Sequence, residues 1–312
     1  MDEITFGTFN CENLFARYRF RDEPDPTKDE GFTVNDLAFD LYDPDSKRIT
    51  AEAILATHAD VLALQEVESL AVLDSFASKF LTDAGYRQRA VIHGNDPRNI
   101  DVAVISKLDI ARIRTWRHLR GPSGGPLFSR DLLEVDVSVP VRGGAPRTLT
   151  VFVNHLKSMV GGREETRNRR MEQAHQLVKL MHDRVGPRFD GNFALVGDFN
   201  DYLEDGADGT KTSLLEIAND PHLINANEAL ATGDRWTHYF KGGNEYRQLD
   251  YLWMGRAFYE RAGHPAPRII RDGMPKRATR YHGHRFDRVG DERPKASDHC
   301  PVVITVPTAA LG

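Results

Sequence analysis

Two cysteines in 312 residues cannot build a disulfide framework, which excludes a small stapled secreted scaffold. Basic charge is not in excess either. Lys+Arg number 41 against 46 Asp+Glu, a net charge of −5, so a wholesale cationic coat is excluded while a local basic groove is not. No apolar run reaches membrane-spanning length, so no membrane insertion is expected. The opening Met-Asp-Glu-Ile-Thr-Phe lacks the basic and apolar regions of a signal peptide, and the expected location is cytoplasmic. Gly161-Gly162 and Gly242-Gly243 lack the Lys-Ser/Thr continuation of a P-loop, and a Ser nucleophile lacks its Gly-x-Ser-x-Gly elbow. Neither cysteine has ligand spacing and no His-x-x-x-His occurs, which disfavours zinc. Repeats of fixed period and low-complexity tracts are missing too.

What remains is ordinary globular composition, 40% apolar and 28% charged. The length suits two ordinary domains or one large two-sheet core, and a single domain over 1–312 is expected. Residues 4–10 alternate as a strand, and 60–65 form a continuous apolar run typical of a strand buried on both faces. Further strands are expected at 101–106, 132–139, 149–153, 193–196, 249–254 and 301–306, with helices at 48–58, 69–84 and 166–183. The acidic, proline-containing stretch 21–45 reads as a loop. Many strands and few helices predict an α+β fold of two packed sheets with helices outside. One segment stands out by charge: 268–295 carries nine Lys/Arg against four Asp/Glu, or +5. A solvated loop is the ordinary explanation of such a run.

The chemistry-bearing residues share one placement, at or beside the tip of an apolar strand. Asn10 ends the first strand and Glu66 ends 60–65. His155 follows 149–153, while Asp198 and Asn200 follow 193–196. Asp250 opens 249–254, and Asp298 and His299 precede 301–306. Isolated buried charge is costly, so carboxylates gathered at strand tips converge on a cation or a hydrogen-bond partner. Carboxylate and amide oxygens suit a hard ion, Mg²⁺ or Mn²⁺. The chemistry that fits is metal-assisted hydrolysis of a phosphoester.

The segments TFNCENLF, LALQEVE, VNHLKS, GDFN, QLDYLW and SDHCPV, in that order, resemble the endonuclease/exonuclease/phosphatase superfamily. That superfamily includes pancreatic deoxyribonuclease, abasic-site endonucleases, neutral sphingomyelinases and inositol polyphosphate 5-phosphatases. The motifs run from Thr8 to Val302. The resemblance implies a four-layer α/β/β/α sandwich of two mainly antiparallel sheets, with a Mg²⁺ site at one end. It makes Glu66 the principal metal carboxylate, helped by Asn10 and Asp298. Asp198 and Asn200 would hold the attacking water and orient the phosphate. His299, oriented by Asp250, would serve as general base or as a charged stabiliser of the transition state. His155 falls where the deoxyribonuclease and sphingomyelinase branches place a second histidine.

Substrate-binding candidates follow. DPRNID at 96–101 resembles the DxRGID stretch of bacterial members, with Asn99 in place of glycine. There Arg98 would bind phosphate and Asp101 would orient His155, although a capped turn explains Asp101 equally well. Lys157 and Ser158 follow His155 within reach of a phosphate oxygen, and Arg167 is the candidate from the cluster at 163–170, most of which suits a solvated face. Cys11 and Cys300 flank site residues and are expected to be a close, buried thiol pair. Trp236 is expected to pack in the core.

The substrate expected first is nucleic acid, from the two-histidine pattern and the +5 segment. The alternative is a small or lipid phosphoester, of the sphingomyelin or phosphoinositide kind. No exposed apolar hairpin is evident in the sequence, which disfavours the lipid. A non-catalytic binding module is disfavoured because every expected site residue is present.

Overall fold

The computed structural model describes residues 1–20, 32–34, 37–186 and 188–312. In chain order the strands are β1 (Glu3–Leu14), β2 (Ala16–Phe20), β3 (Phe32–Val34), β4 (Leu37–Leu41), β5 (Val61–Val67), β6 (Gln88–Val91), β7 (Asp101–Ser106), β8 (Asp109–Thr115) and β9 (Leu133–Val139). They continue as β10 (Arg147–His155), β11 (Phe193–Asp198), β12 (Leu223–Asn225), β13 (His238–Phe240), β14 (Glu245–Arg247), β15 (Asp250–Gly255), β16 (Arg268–Ile269) and β17 (Val302–Pro307). The longer helices are α1 (Pro44–Thr57), α2 (Leu70–Phe80) and α3 (Arg163–Val185).

Two six-stranded sheets dominate, ordered β16-β17-β1-β5-β7-β6 and β12-β15-β11-β10-β9-β8. Only β1–β5 and β10–β11 pair in parallel within them; the other neighbours are antiparallel. Period-two alternation then sorts the side chains into layers. Ile4, Phe6, Val61 and Ala63 of one sheet meet Ala194, Val196, Leu252 and Met254 of the other in a central core. The intervening residues Phe9, Leu62 and Leu64 face outward onto Ile49, Ile54, Leu73 and Phe76 of α1 and α2. Likewise Phe193, Leu195, Tyr251 and Trp253 face Ala174, Leu177 and Met181 of α3. The result is the expected helix–sheet–sheet–helix sandwich.

Differences from expectation have physical causes. The stretch read as a loop contains β3, β4 and the first two residues of α1, and β2, β3 and β4 form a small sheet. Asp43 caps α1 by accepting from the backbone N–H of Ser46 at 3.3 Å, and Pro44 occupies the first turn, where its missing N–H costs nothing. A proline read as a breaker is thus a helix starter. Residues 21–31 and 35–36 of that stretch lie outside the described residues. No described helix is long and apolar enough to cross a membrane.

Asp131, just before β9, offers a test of the packing. It is 1% exposed and its Oδ1 accepts the Trp116 N–H at 2.9 Å. Burial pushes its carboxyl up to about 6. A carboxyl whose folded-state proton affinity is raised favours folding below its ordinary titration range, and that contribution is lost as pH rises through about 6. Asp131→Asn keeps the Oδ1 acceptor. It is expected to match the parent near pH 4 and to exceed its stability at pH 8 by about 2 kcal/mol, by urea midpoint. A variant less stable than the parent at pH 8 would show that the ionised carboxylate is favourably held.

Candidate active site

Neighbouring parallel strands β1 and β5 both break register at their C-terminal ends, β1 between Asn10 and Leu14 and β5 between Gln65 and Val67. Glu12, Asn13 and Glu66 take positive φ of 45°, 62° and 62°, a conformation non-glycine residues adopt only when their surroundings impose it. These adjoining bulges turn Asn10 and Glu66 toward each other. Glu66 Oε2 accepts the Asn13 N–H at 3.0 Å, and Oε1 accepts the Asn10 amide at 3.4 Å. The same amide nitrogen donates to Asp198 Oδ2 at 3.1 Å, joining the first sheet to the second.

In the second sheet three tips lie side by side. Asp198 is the register partner of His155 on one side and of Asp250 on the other. Gly197 before it has φ 140°, and a Cβ there would fall 2.0 Å from the Asn154 carbonyl, so only glycine allows this approach. Asp198 Oδ1 accepts the Asn200 N–H at 2.8 Å, and Oδ2 accepts the Asn200 amide at 3.1 Å. His155 Nε2 lies 3.4 Å and His299 Nε2 3.8 Å from the same Oδ2. His299 Nδ1 is 2.8 Å from Asp250 Oδ2, which also accepts the Thr237 hydroxyl at 2.7 Å. That contact leaves Nε2 of His299 as the nitrogen facing the site.

Electrostatics separate these groups. Burial pushes Asp198 up; nearby His299 opposes this, but Asp250 and Glu66 add to it, and the carboxyl reaches about 7. Burial works against charge on His299, yet the Asp250 and Asp198 carboxylates and the Asp250 hydrogen bond outweigh it and hold the imidazolium well above its ordinary value. His155 is held well below its ordinary value by burial and by the cations Arg130 and His299. The site therefore pairs one cationic histidine with one neutral one.

Other candidates from the sequence are placed more loosely. Asp298 stands with His238 and His299, the ligand atoms of all three lying within 4.8 Å of one another. Asp101 Oδ1 accepts the Gly94 N–H at 2.7 Å and Oδ2 faces His93 at 2.8 Å. No hydrogen bond joins Asp101 to His155, whose Nδ1 has no partner among the described residues. Arg98 is held by Asp96 at 2.9 Å. The Lys157 ammonium turns to the Ser158 carbonyl at 3.2 Å, and Ser158 lines the cavity beside His299. Arg167 donates to the Lys211 carbonyl at 2.8 Å, away from the strand tips. Its neighbour Arg170 is fully buried, 3.4 Å from Asp201 Oδ2.

Three residues near the site escaped the sequence analysis. Arg130, 3% exposed, forms an ion pair with Asp96 at 3.3 Å and donates to the Leu156 carbonyl at 3.3 Å. Lys47, 2% exposed, donates to the carbonyls of Cys11 and Glu12 at 2.6 and 2.8 Å and so ties down the β1 bulge. His238 forms a bridge with His299, their rings 4.5 Å apart. Arg130 alone left a signal, a charged pair entering an apolar strand.

Three expectations need correcting. The basic segment is less a groove than a set of ties: Arg268, Arg271, Arg280 and Arg285 donate to the carbonyls of Thr57, Trp236, Gly233 and Met274. The hairpin β13–β14 does carry an exposed apolar residue, Phe240, 54% exposed. Cys11 and Cys300 are buried free thiols, but they pack in different apolar clusters. Trp236 is buried as expected.

The sequence profile of the Endonuclease/Exonuclease/phosphatase family matches residues 5–307. The chain belongs to this family. Its members are hydrolases of phosphodiester bonds that use divalent metals. Among solved structures, an endonuclease/exonuclease/phosphatase from Beutenbergia cavernae is similar at 19% identity and TM-score 0.61, over 98% of this chain and 72% of that one. The human Nocturnin catalytic domain with bound sulfate anion is similar at 17% identity and TM-score 0.60, over 98% and 95%. Truncated Caenorhabditis elegans TDP2 is similar at 15% identity and TM-score 0.59, over 98% and 97%. At these identities the likeness is one of fold. No curated protein matches the chain.

The residues present fit a divalent cation. Asp198 and Asp250 bring buried carboxylate oxygens within 4.8 Å of each other, and Asp198 and Glu66 both accept from the Asn10 amide. Asp250 Oδ1 is buried with no partner among the described residues. The clustered carboxylates of Glu66, Asp198 and Asp250 supply oxygen donors and excess negative charge, a hard-ion environment.

Proposed function

We propose that this protein is a Mg²⁺- or Mn²⁺-dependent nuclease that hydrolyses DNA or RNA phosphodiesters by attack of water. The observation that carries the hydrolytic part is the convergence of Asp198, Asn200, Asp250 and His299 with Glu66 and Asn10 across two sheets. What supports a diester extending both ways from the phosphate is the setting. A cavity of about 390 Å³ holds His299 and Asn200, and another of about 410 Å³ holds Asp298 and Glu12.

Glu66 and Asn10 would hold the ion, which when bound neutralises charge on a phosphoryl oxygen. The chain's own groups do the rest. Asp198 Oδ2, raised to about 7, accepts a proton from the attacking water as the new P–O bond forms. The Asn200 amide, 3.1 Å from that oxygen, helps to fix the water and the phosphate. His299, kept charged by Asp250, presents Nε2–H to the oxygen on which charge develops. The bond to the leaving oxygen then breaks, and His299 Nε2 supplies its proton. His155, neutral and 3.4 Å from Asp198, donates or accepts a hydrogen bond without adding charge.

A second reading, a phosphodiester with an apolar substituent such as a lipid, is favoured by Phe240 and by Val160, 81% exposed at the same cavity. A panel of oligonucleotides, a sphingomyelin-type diester and phosphate monoesters, each with Mg²⁺ or Mn²⁺, separates the two. Oligonucleotide cleavage is expected to dominate, and its affinity to fall by about 0.7–0.9 log units per log unit of salt for each phosphate contacted. Preferential hydrolysis of the lipid diester, or release of inorganic phosphate alone, would contradict the nuclease.

A further inference from the structure

Phe240 stands between the two cavities and lines both. It belongs to β13, whose alternation places His238 and Phe240 on one face and Tyr239 on the other. Tyr239, 4% exposed, packs with Trp236, Met274 and Cys300, while Phe240 stays 54% exposed. Core packing therefore does not account for this aromatic ring. The strand is fixed to the site: the Tyr239 N–H donates to the Asp298 carbonyl at 2.9 Å, and the Cys300 N–H donates to the Thr237 carbonyl at 2.7 Å. Gly242 in the following turn makes room for the ring, since a Cβ there would fall 2.9 Å from Phe240 Cζ.

The two cavities differ in chemistry. On one side are His299, Asn200 and Ser158. The other is rimmed by Lys241, Arg277, Arg293 and Lys295 against Glu12, Glu292 and Asp298. Lys241 and Arg277 share the exposed carboxylate of Glu292, a solvated arrangement that a phosphate can displace at little cost. Reaction centre, exposed ring and basic rim thus follow one another in space, as phosphate, base and next phosphate follow one another along a strand.

Building on the nuclease reading above, we infer that Phe240 and the cavity rimmed by Lys241 and Arg277 form a subsite for one unpaired nucleotide. Its base stacks on the Phe240 ring, and its far phosphate lies against Arg277 and Lys241 while the scissile phosphate lies at His299. A base stacked within a duplex offers no free face to the ring, so the subsite selects single-stranded or unstacked nucleic acid.

The test uses full-length protein and single-stranded DNA and RNA oligonucleotides, intact or with one abasic position beside the cut. Wild type is expected to favour the intact strand in kcat/KM, chiefly through KM, by about 5- to 150-fold, the worth of one base–aromatic stack. That preference is expected to fall close to one in Phe240→Ala and to persist in Phe240→Trp. Arg277→Ala is expected to make the log–log salt slope shallower by about 0.7. An unchanged preference in Phe240→Ala, or an unchanged slope in Arg277→Ala, with wild type still cutting oligonucleotides, overturns the subsite and leaves the nuclease standing. A wild type that cuts no oligonucleotide yet hydrolyses another phosphoester overturns both.

Discussion

Replacing His299 with alanine is expected to lower turnover by about 10³-fold while leaving the fold intact, since one charged donor at a developing oxyanion or one general acid is worth about that much. His299 lies at a strand entry and is 7% exposed, and its ring is held by Asp250 rather than by the apolar core, so its loss removes chemistry more than packing. The partner variant distinguishes a cation from a base. Asp250→Asn keeps the shape but removes the carboxylate that holds the imidazolium charged. If charge on His299 drives the step, activity in Asp250→Asn begins to fall at lower pH on the alkaline side than in wild type. If His299 worked as a base, the same change would extend activity toward acid. A pH profile of kcat shows which, and near-wild-type turnover in His299→Ala would remove the residue from the mechanism.

Glu66→Gln carries the second large effect. The amide retains an acceptor for the Asn13 N–H, so the β5 bulge is expected to survive; the lost charge is what changes. A divalent ion held by a neutral oxygen in place of a carboxylate is bound more weakly, and a Lewis acid contributes several kcal/mol to such a reaction. Turnover at fixed Mg²⁺ is expected to fall by about 10³-fold and to recover in part as Mg²⁺ is raised. A fall that no amount of metal relieves, with unchanged circular dichroism, would place Glu66 outside the ion's shell.

How much of this was legible in the sequence follows from the physics of each element. β5 and β11 were readable because strands buried on both faces are apolar throughout, and their polar tips therefore stood out. Asp250 and His299 are paired on resemblance to a family motif, and their side chains lie 2.8 Å apart. By contrast β8, whose face is largely exposed, has no apolar run, and β13 and β14 are three residues each, too short for a period to show. The roles of Lys47 and His238 depend on contacts with distant chain, with Cys11, Glu12 and His299, and nothing in their own neighbourhoods announces them. The basic segment was legible in part for a related reason: composition reports charge, but not which arginines tie down their own loop, as Arg285 does, and which line a cavity, as Arg277 does.

In the proposed mechanism, oxygen ligands from the two sheets gather round one hard cation that enables phosphodiester hydrolysis. The most direct test is calorimetric titration of Mn²⁺ into chelator-treated wild type and Glu66→Gln, with oligonucleotide hydrolysis followed at each metal concentration. Saturable binding to wild type that tracks the onset of hydrolysis, and that weakens markedly in Glu66→Gln, is the predicted result. Full hydrolysis in the presence of chelator, or identical Mn²⁺ binding by the two proteins, would contradict it.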